Sequence, residues 1–294
     1  WLVLFSCWAI SNMMGLLISD SFKTVVTIYI LIPFLVIPQI ILSGIIVKYD
    51  KLNPTISSPV SIPVYGEIIA ARWGYEALAV DQFMNNRFEK QFYRFDKAIS
   101  IAKFRKDIWY NEMKSVLSRL DSNLERERID ESARKDMMLI RNEIEEELVF
   151  TPSVPFDIRI ISPDAITVEA IASARDYIER VRKYYIEVSR NAVDARDQAI
   201  MKYEQADRDA FIRLKKQYTN ESLEEFVRND NEKDKIKRYH DRLYQNYDQV
   251  FFDPGHPMVK AHFYAPQKQL FGIFAGTLAV NTIVIWLMTL FLYI

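Results

Sequence analysis

The chain has 294 residues, half of them apolar, with 38 basic and 39 acidic side chains and a formal net charge of −1. A balance this close excludes the basic face that nucleic-acid binding requires. The near-zero mean hydropathy averages two populations: residues 1–19, 24–47 and 269–294 carry no charge, while residues 49–268 hold every charged side chain except Asp20, Lys23 and Lys48.

In chain order, residues 1–19 read as a first membrane helix, since an uncharged apolar run of about 20 residues can cross a hydrocarbon layer of about 30 Å. No basic segment precedes it, which argues against a secretory signal. Trp1 and Ile294 both fall inside apolar runs. The expectation is a piece of a longer membrane protein. Cys7, the single cysteine, lies in this first run, so the polar region has no disulfide. That fits the cytosol or a bacterial periplasm better than a disulfide-stapled ectodomain.

A short polar patch, Ser19 to Lys23, leads to a second expected membrane helix at 24–47. It contains Pro33, Pro38 and Gly44 and stops at Lys48, Tyr49 and Asp50. Each proline removes a backbone donor and is expected to bend the helix. Residues 49–80 read as an interfacial segment, with Trp73 and Tyr75 as interface aromatics. Arg72 and Glu76 stand four residues apart, a spacing that pairs them on one helical face.

Glycine is absent from residues 75–254, and proline from 64–151 and 164–253. Long stretches without either breaker, rich in Ala, Glu, Lys, Arg and Leu, predict helix. Residues 81–261 are therefore expected to form a helical, coiled-coil-like stalk. In its first block Ala98, Ala102, Trp109, Met113, Val116, Leu120 and Leu124 recur at helical spacing. After a polar turn near Asp130, so do Met137, Ile140, Ile144 and Leu148. The joint at 151–163 carries three prolines, and its "FDIRII" reads as a possible short strand.

The second block opens on Ser162-Pro163-Asp164, a cap followed by proline at the first helical position. Ile171, Ala174, Ile178, Val181, Tyr185, Val188, Ala192, Ala195 and Ala199 then alternate in steps of three and four, a heptad seam. The seam slips by one residue to Tyr203, Ala206 and Ala210. A helix from Pro163 to about Lys216 would be about 80 Å long. "EIEEEL" at 143–148 reads as a solvated helix face. The "DPGHPMVKAHFYAP" loop, with His256 and His262, reads as the return to the membrane; with His240 distant in sequence, a metal site is not expected. The last uncharged run, 269–294, is the third expected membrane helix. The predicted fold class is all-α: membrane helices plus an extracytoplasmic helical domain.

Three stretches together resemble the permease half of G-subfamily (White-type) ABC transporters. They are Gly15 to Ser19, Ser43-Gly44-Ile45-Ile46-Val47, and Arg72-Trp73-Gly74-Tyr75-Glu76-Ala77-Leu78; the terminal "NTIVIWLMTLFLYI" is similar to the family's last helix. The likeness covers about residues 9–80 and 262–294. It departs from the family in the size of the insertion at 81–261. The resemblance implies an exporter permease in a bacterial inner membrane, with residues 20–23 cytosolic and 49–268 outside. It makes Ile45 and Ile46 a valve closing a path between two permease copies, with Gly44 allowing close approach. It puts Arg72, Trp73 and Glu76 on a re-entrant segment. Implied partners are the lipid bilayer, an ABC ATPase domain, a second permease copy and a periplasmic protein for the stalk. No G-x-x-x-x-G-K-[ST] occurs here, so no enzyme activity or cofactor is expected of this chain; ATP and Mg would sit on a separate nucleotide-binding domain. The alternative reading is a membrane-tethered sensor or scaffold with a periplasmic stalk. The transported substrate is not specified by these residues.

Overall fold

The computed structural model describes residues 1–52, 58, 61–127, 129–254, 259–270 and 272–294. His256, Gly255 and Pro257 of the return loop lie outside them. The helices are α1 (Leu2–Ser21), α2 (Val25–Ile41), α3 (Val64–Glu67), α4 (Ala70–Met84), α5 (Glu89–Lys103), α6 (Tyr110–Glu125), α7 (Glu131–Phe150), α8 (Val168–Tyr218), α9 (Glu221–Arg228) and α10 (Thr277–Tyr293). A π-helical segment, Phe104–Trp109, joins α5 to α6. Among the described residues, four short strands form two antiparallel hairpins, β1 (Ile236–Tyr239) with β2 (Arg242–Gln245) and β3 (Gln267–Leu270) with β4 (Ile273–Gly276). The fold is thus mostly helical, as expected, with two small hairpins added.

The chain divides into two compact units. The first comprises residues 1–90, 217–230 and 248–294; the second, residues 91–216 and 231–247.

In the first unit, α4 packs against α10, α1 and α2, and α1 against α10. Ile10, Ala70, Trp73 and Ile285 form the buried centre of this packing. Helix α1 is long and apolar enough to cross a membrane by length and composition; α2 and α10 are apolar but shorter. Helix α2 stays helical through Pro33 and Pro38 and has no buried residue. It ends at Ile41, before the Ser43-Gly44 pair, which stands in a turn. Helix α10 begins only at Thr277, because Gln269, Leu270 and Ile273–Gly276 of the apolar run belong to strands β3 and β4; Gly272 has a φ of +84°.

The second unit has a hydrophobic core built from three helices. Trp109, Met113, Val116 and Leu120 from α6 and the preceding segment meet Met137, Ile140 and Ile144 of α7 and Ile171, Ala174, Ile178 and Val181 of α8, all fully buried. These are the residues picked out by the two helical stripes and the first half of the seam. Asp130 caps α7 by accepting from the Ala133 amide at 3.0 Å, which sets the predicted turn.

Several local expectations are corrected. Helix α8 starts at Val168 rather than Pro163, where Thr167 Oγ1 accepts from the Ala170 amide. Its regular course breaks at Asp207, whose carboxylate caps the new turn through the Ala210 amide. Beyond Ser189 it buries no residue, so Ala192, Ala195 and Ala199 are only partly covered. Within "FDIRII", Ile158–Ile160 is a turn of 3-10 helix and not a strand. The β1–β2 turn places His240 and Asp241 at φ of 47° and 51°, the two positive angles of a type I′ hairpin.

Candidate functional site

The site grows from α4. With three or four residues per turn, Arg72, Trp73, Glu76 and Ala77 share the face that α4 turns inward, and all four are buried. Gly74 lies where α4 crosses α1: a Cβ there would stand 2.5 Å from Cys7 Sγ, so only glycine permits the approach.

Arg72 Nη1 donates to Glu76 Oε2 at 2.9 Å, as their spacing predicts. The same oxygen accepts from Lys268 Nζ at 2.6 Å and from Asn281 Nδ2 at 2.8 Å. Asn281 also donates to the Trp73 carbonyl at 3.0 Å. Arg72 continues through Nη2 to Glu67 and through Nε to the Gly66 carbonyl. Trp73 Nε1 donates to the Glu67 carbonyl at 2.8 Å. Two cations lie over its ring, with Arg72 Cζ 3.5 Å and Lys268 Nζ 4.5 Å from the ring centre.

Two cations and two carboxylates thus neutralise one another: the side chains of Arg72 and Glu76 are 0% exposed and that of Lys268 is 1% exposed, while Glu67 at the edge is 24% exposed. Burial pulls the Lys268 ammonium below the usual lysine range, with the Glu76 carboxylate opposing it. The junction joins three elements, α4, β3 and α10, in one geometry, and removing Glu76 or Lys268 leaves a buried charge short of a partner.

The Ser43–Val47 stretch forms a second feature. Gly44 has a φ of +83°, and a Cβ there would meet the Tyr49 ring at 2.6 Å, so glycine is required both by the turn and by the ring beneath it. The ring is fixed by its hydroxyl, which donates to the Leu42 carbonyl at 2.6 Å. Gly44 therefore permits a tight turn over the Tyr49 ring. Ile45 is partly buried and Ile46 is exposed, both on the bend after α2. Beside them lies a small cleft lined by Tyr49, Lys48, Asn229, His262 and Tyr264. Lys48 Nζ donates to Asn229 Oδ1 at 2.7 Å. His262 Nε2 donates to the Gln249 carbonyl at 2.8 Å, and burial pulls its ring below the usual histidine range.

Sequence reasoning found Arg72, Trp73 and Glu76 but not Glu67, Lys268 or Asn281. One signal for the last was present, a lone carboxamide in an otherwise apolar helix, the residue type that bonds across helices where no water competes. Comparison with protein-family models, curated proteins and solved structures finds no match to this chain.

Proposed function

We propose that this chain is the membrane-spanning permease part of an ATP-driven exporter, built as in the G-subfamily, with its helical second unit on the outer side of the membrane. The observation that carries the reading is the Glu76 junction. The motif helix α4 is locked by buried charge to α10, the helix that resembles the family's last span. The exposed apolar surfaces of α1, α2 and α10 support it, since lipid would cover such helices. In this reading α4 is the re-entrant helix, and α2 lines the path with Ile45 and Ile46 at its outer mouth. Two copies would enclose the path, and ATP with Mg would be hydrolysed on a nucleotide-binding domain outside these residues.

The test is purification of the gene's complete product from native membranes in mild detergent. The reading requires the chain to sediment with alkali-washed membranes and to carry, in the same polypeptide or a stably bound subunit, a nucleotide-binding domain that hydrolyses ATP. Release by alkali, or purification without any such domain, contradicts it. A sensor or scaffold would give the second result.

A further inference from the structure

The second unit holds a buried cluster unconnected to the role proposed above. Glu143 and Glu147 lie one turn apart on α7, and both point inward; their side chains are 2% and 0% exposed. The run "EIEEEL" is therefore not a uniformly solvated face. One cation faces both: Arg105 Nη1 is 3.7 Å from Glu143 Oε2, and its Nε is 3.2 Å from Glu147 Oε2. Among the described residues, the other groups around the cluster do not supply a second positive charge. On α7, Glu146 pairs with Arg242 of β2. From α8 come Tyr177, Tyr184 and Tyr185, while Arg180 turns away to Asp176 and the Pro155 carbonyl. From the hairpin comes Tyr244. Two buried carboxyls thus share one guanidinium, which cannot lose its proton.

The two carboxyls differ in how they are held. Both oxygens of Glu143 accept strong bonds, from Trp109 Nε1 at 2.6 Å and from the Leu243 amide at 2.7 Å. That arrangement suits a carboxylate. Glu147 Oε1 accepts from the Tyr185 hydroxyl at 2.7 Å, and its Oε2 lies 3.2 Å from Arg105 Nε without the alignment of a hydrogen bond. A buried carboxyl held by fewer hydrogen bonds is costlier to charge. Burial pushes both carboxyls above the usual range, with Arg105 opposing.

We propose that this cluster is a proton-binding site, with the proton taken from water onto Glu147, and that it tightens the helical unit as pH falls. The Arg105 guanidinium then faces one carboxylate charge instead of two. The sign follows from linkage. The folded chain holds this proton at pH values where the unfolded chain has released it. The added stability is therefore complete below the unfolded carboxyl value and is lost as pH rises through the folded one. The parts that loosen at higher pH are those tied to the cluster: the π-helical segment that presents Arg105 and Trp109, and the β2 amide of Leu243.

The test is hydrogen exchange with mass spectrometry on the full chain in detergent, with rates corrected for intrinsic pH dependence. Protection of the 104–109 and 242–245 peptides is expected to rise by about tenfold between about pH 7.5 and about pH 5.5, one pKa unit of linkage. Glu147→Gln, which carries a permanent neutral group of the same shape, is expected to remove this pH dependence. Constant or falling protection on acidification in the parent overturns the proposal, as does a Glu147→Gln variant with the parent's response. Should that variant not fold, pH-difference infrared spectroscopy of the parent decides. A buried protonated carboxyl band must appear as pH falls through this range, and its absence overturns the proposal.

Discussion

Glu76 and Lys268 meet across 192 residues of sequence, with Nζ 2.6 Å from Oε2 and both side chains closed off from solvent. The contact ties α4 to β3 within the first unit.

Breaking that tie from one side should be expensive. Lys268→Met leaves Glu76 with Arg72 and Asn281 only, and a buried pair that loses one partner costs about 3–5 kcal/mol. Glu76→Gln should cost a similar amount. The double variant should cost less than the sum, because neither charge is then stranded. Thermal unfolding of the detergent-solubilised chain measures all three, and strict additivity would show that the two residues do not depend on each other.

Gly74 should tolerate no side chain while Cys7 is present. Gly74→Ala pushes a methyl group to within 2.5 Å of the sulfur and should cost about 1–3 kcal/mol as an overpacked contact. Cys7→Ala, added to it, should recover most of the loss. A Gly74→Ala protein as stable as the parent would mean that α1 and α4 do not cross so closely.

The seam of α8 should be sensitive only in its first half. Ala174 is fully buried, whereas Ala192 is partly covered. Ala174→Asp places an unpaired charge in the core and should unfold the second unit; Ala192→Asp should shift its stability by less than about 1 kcal/mol. Helical circular dichroism and hydrogen exchange of the 137–148 peptides on the full chain give the readout, and equal effects at both positions would contradict it.

Orientation follows from the permease reading. Lys215 is exposed on α8, so Lys215→Cys, in a Cys7→Ala background, should react with a membrane-impermeant maleimide in intact cells whose outer barrier has been permeabilised. Labelling that appears only after inner-membrane lysis would place the helical unit on the cytosolic side.

The local order of the second unit was legible because it follows from spacing. The stripes at Met113 to Leu120 and Met137 to Ile144 mark core faces directly, and Asp130 announces the start of α7 as a cap. The Arg72–Glu76 pair was legible for the same reason, being a contact within one helix turn. Lys268 and Asn281 were not, since their bonds to Glu76 span 192 and 205 residues and no local pattern encodes a contact so remote. Glu143 and Glu147 were misread because a run of glutamates normally faces water. Here Arg105, swung round by a widened π-helical turn, offers them a partner inside. The hairpins were hidden by their composition. "KRYHDRLY" lacks the Gly that usually marks a tight turn, and the β3–β4 pair sits in a run apolar enough to read as membrane helix. Gly44 was recognised as special, but the reason, a left-handed turn over the Tyr49 ring, depends on a side chain five residues on.

The most direct measurement is ATP hydrolysis by the complete, assembled protein in proteoliposomes, parent against the Ile45→Ala/Ile46→Ala double variant, with Ile41→Ala as control. An apolar constriction blocks passage because a narrow dry gap is costly to wet, and trimming both isoleucines widens it. The account predicts vanadate-sensitive hydrolysis in the parent and an altered, less tightly regulated rate in the double variant. Ile41→Ala should behave like the parent, and all three proteins should insert into membranes equally. A parent assembly that hydrolyses no ATP would contradict the transporter reading outright, and a double variant identical to the parent would remove the valve from it.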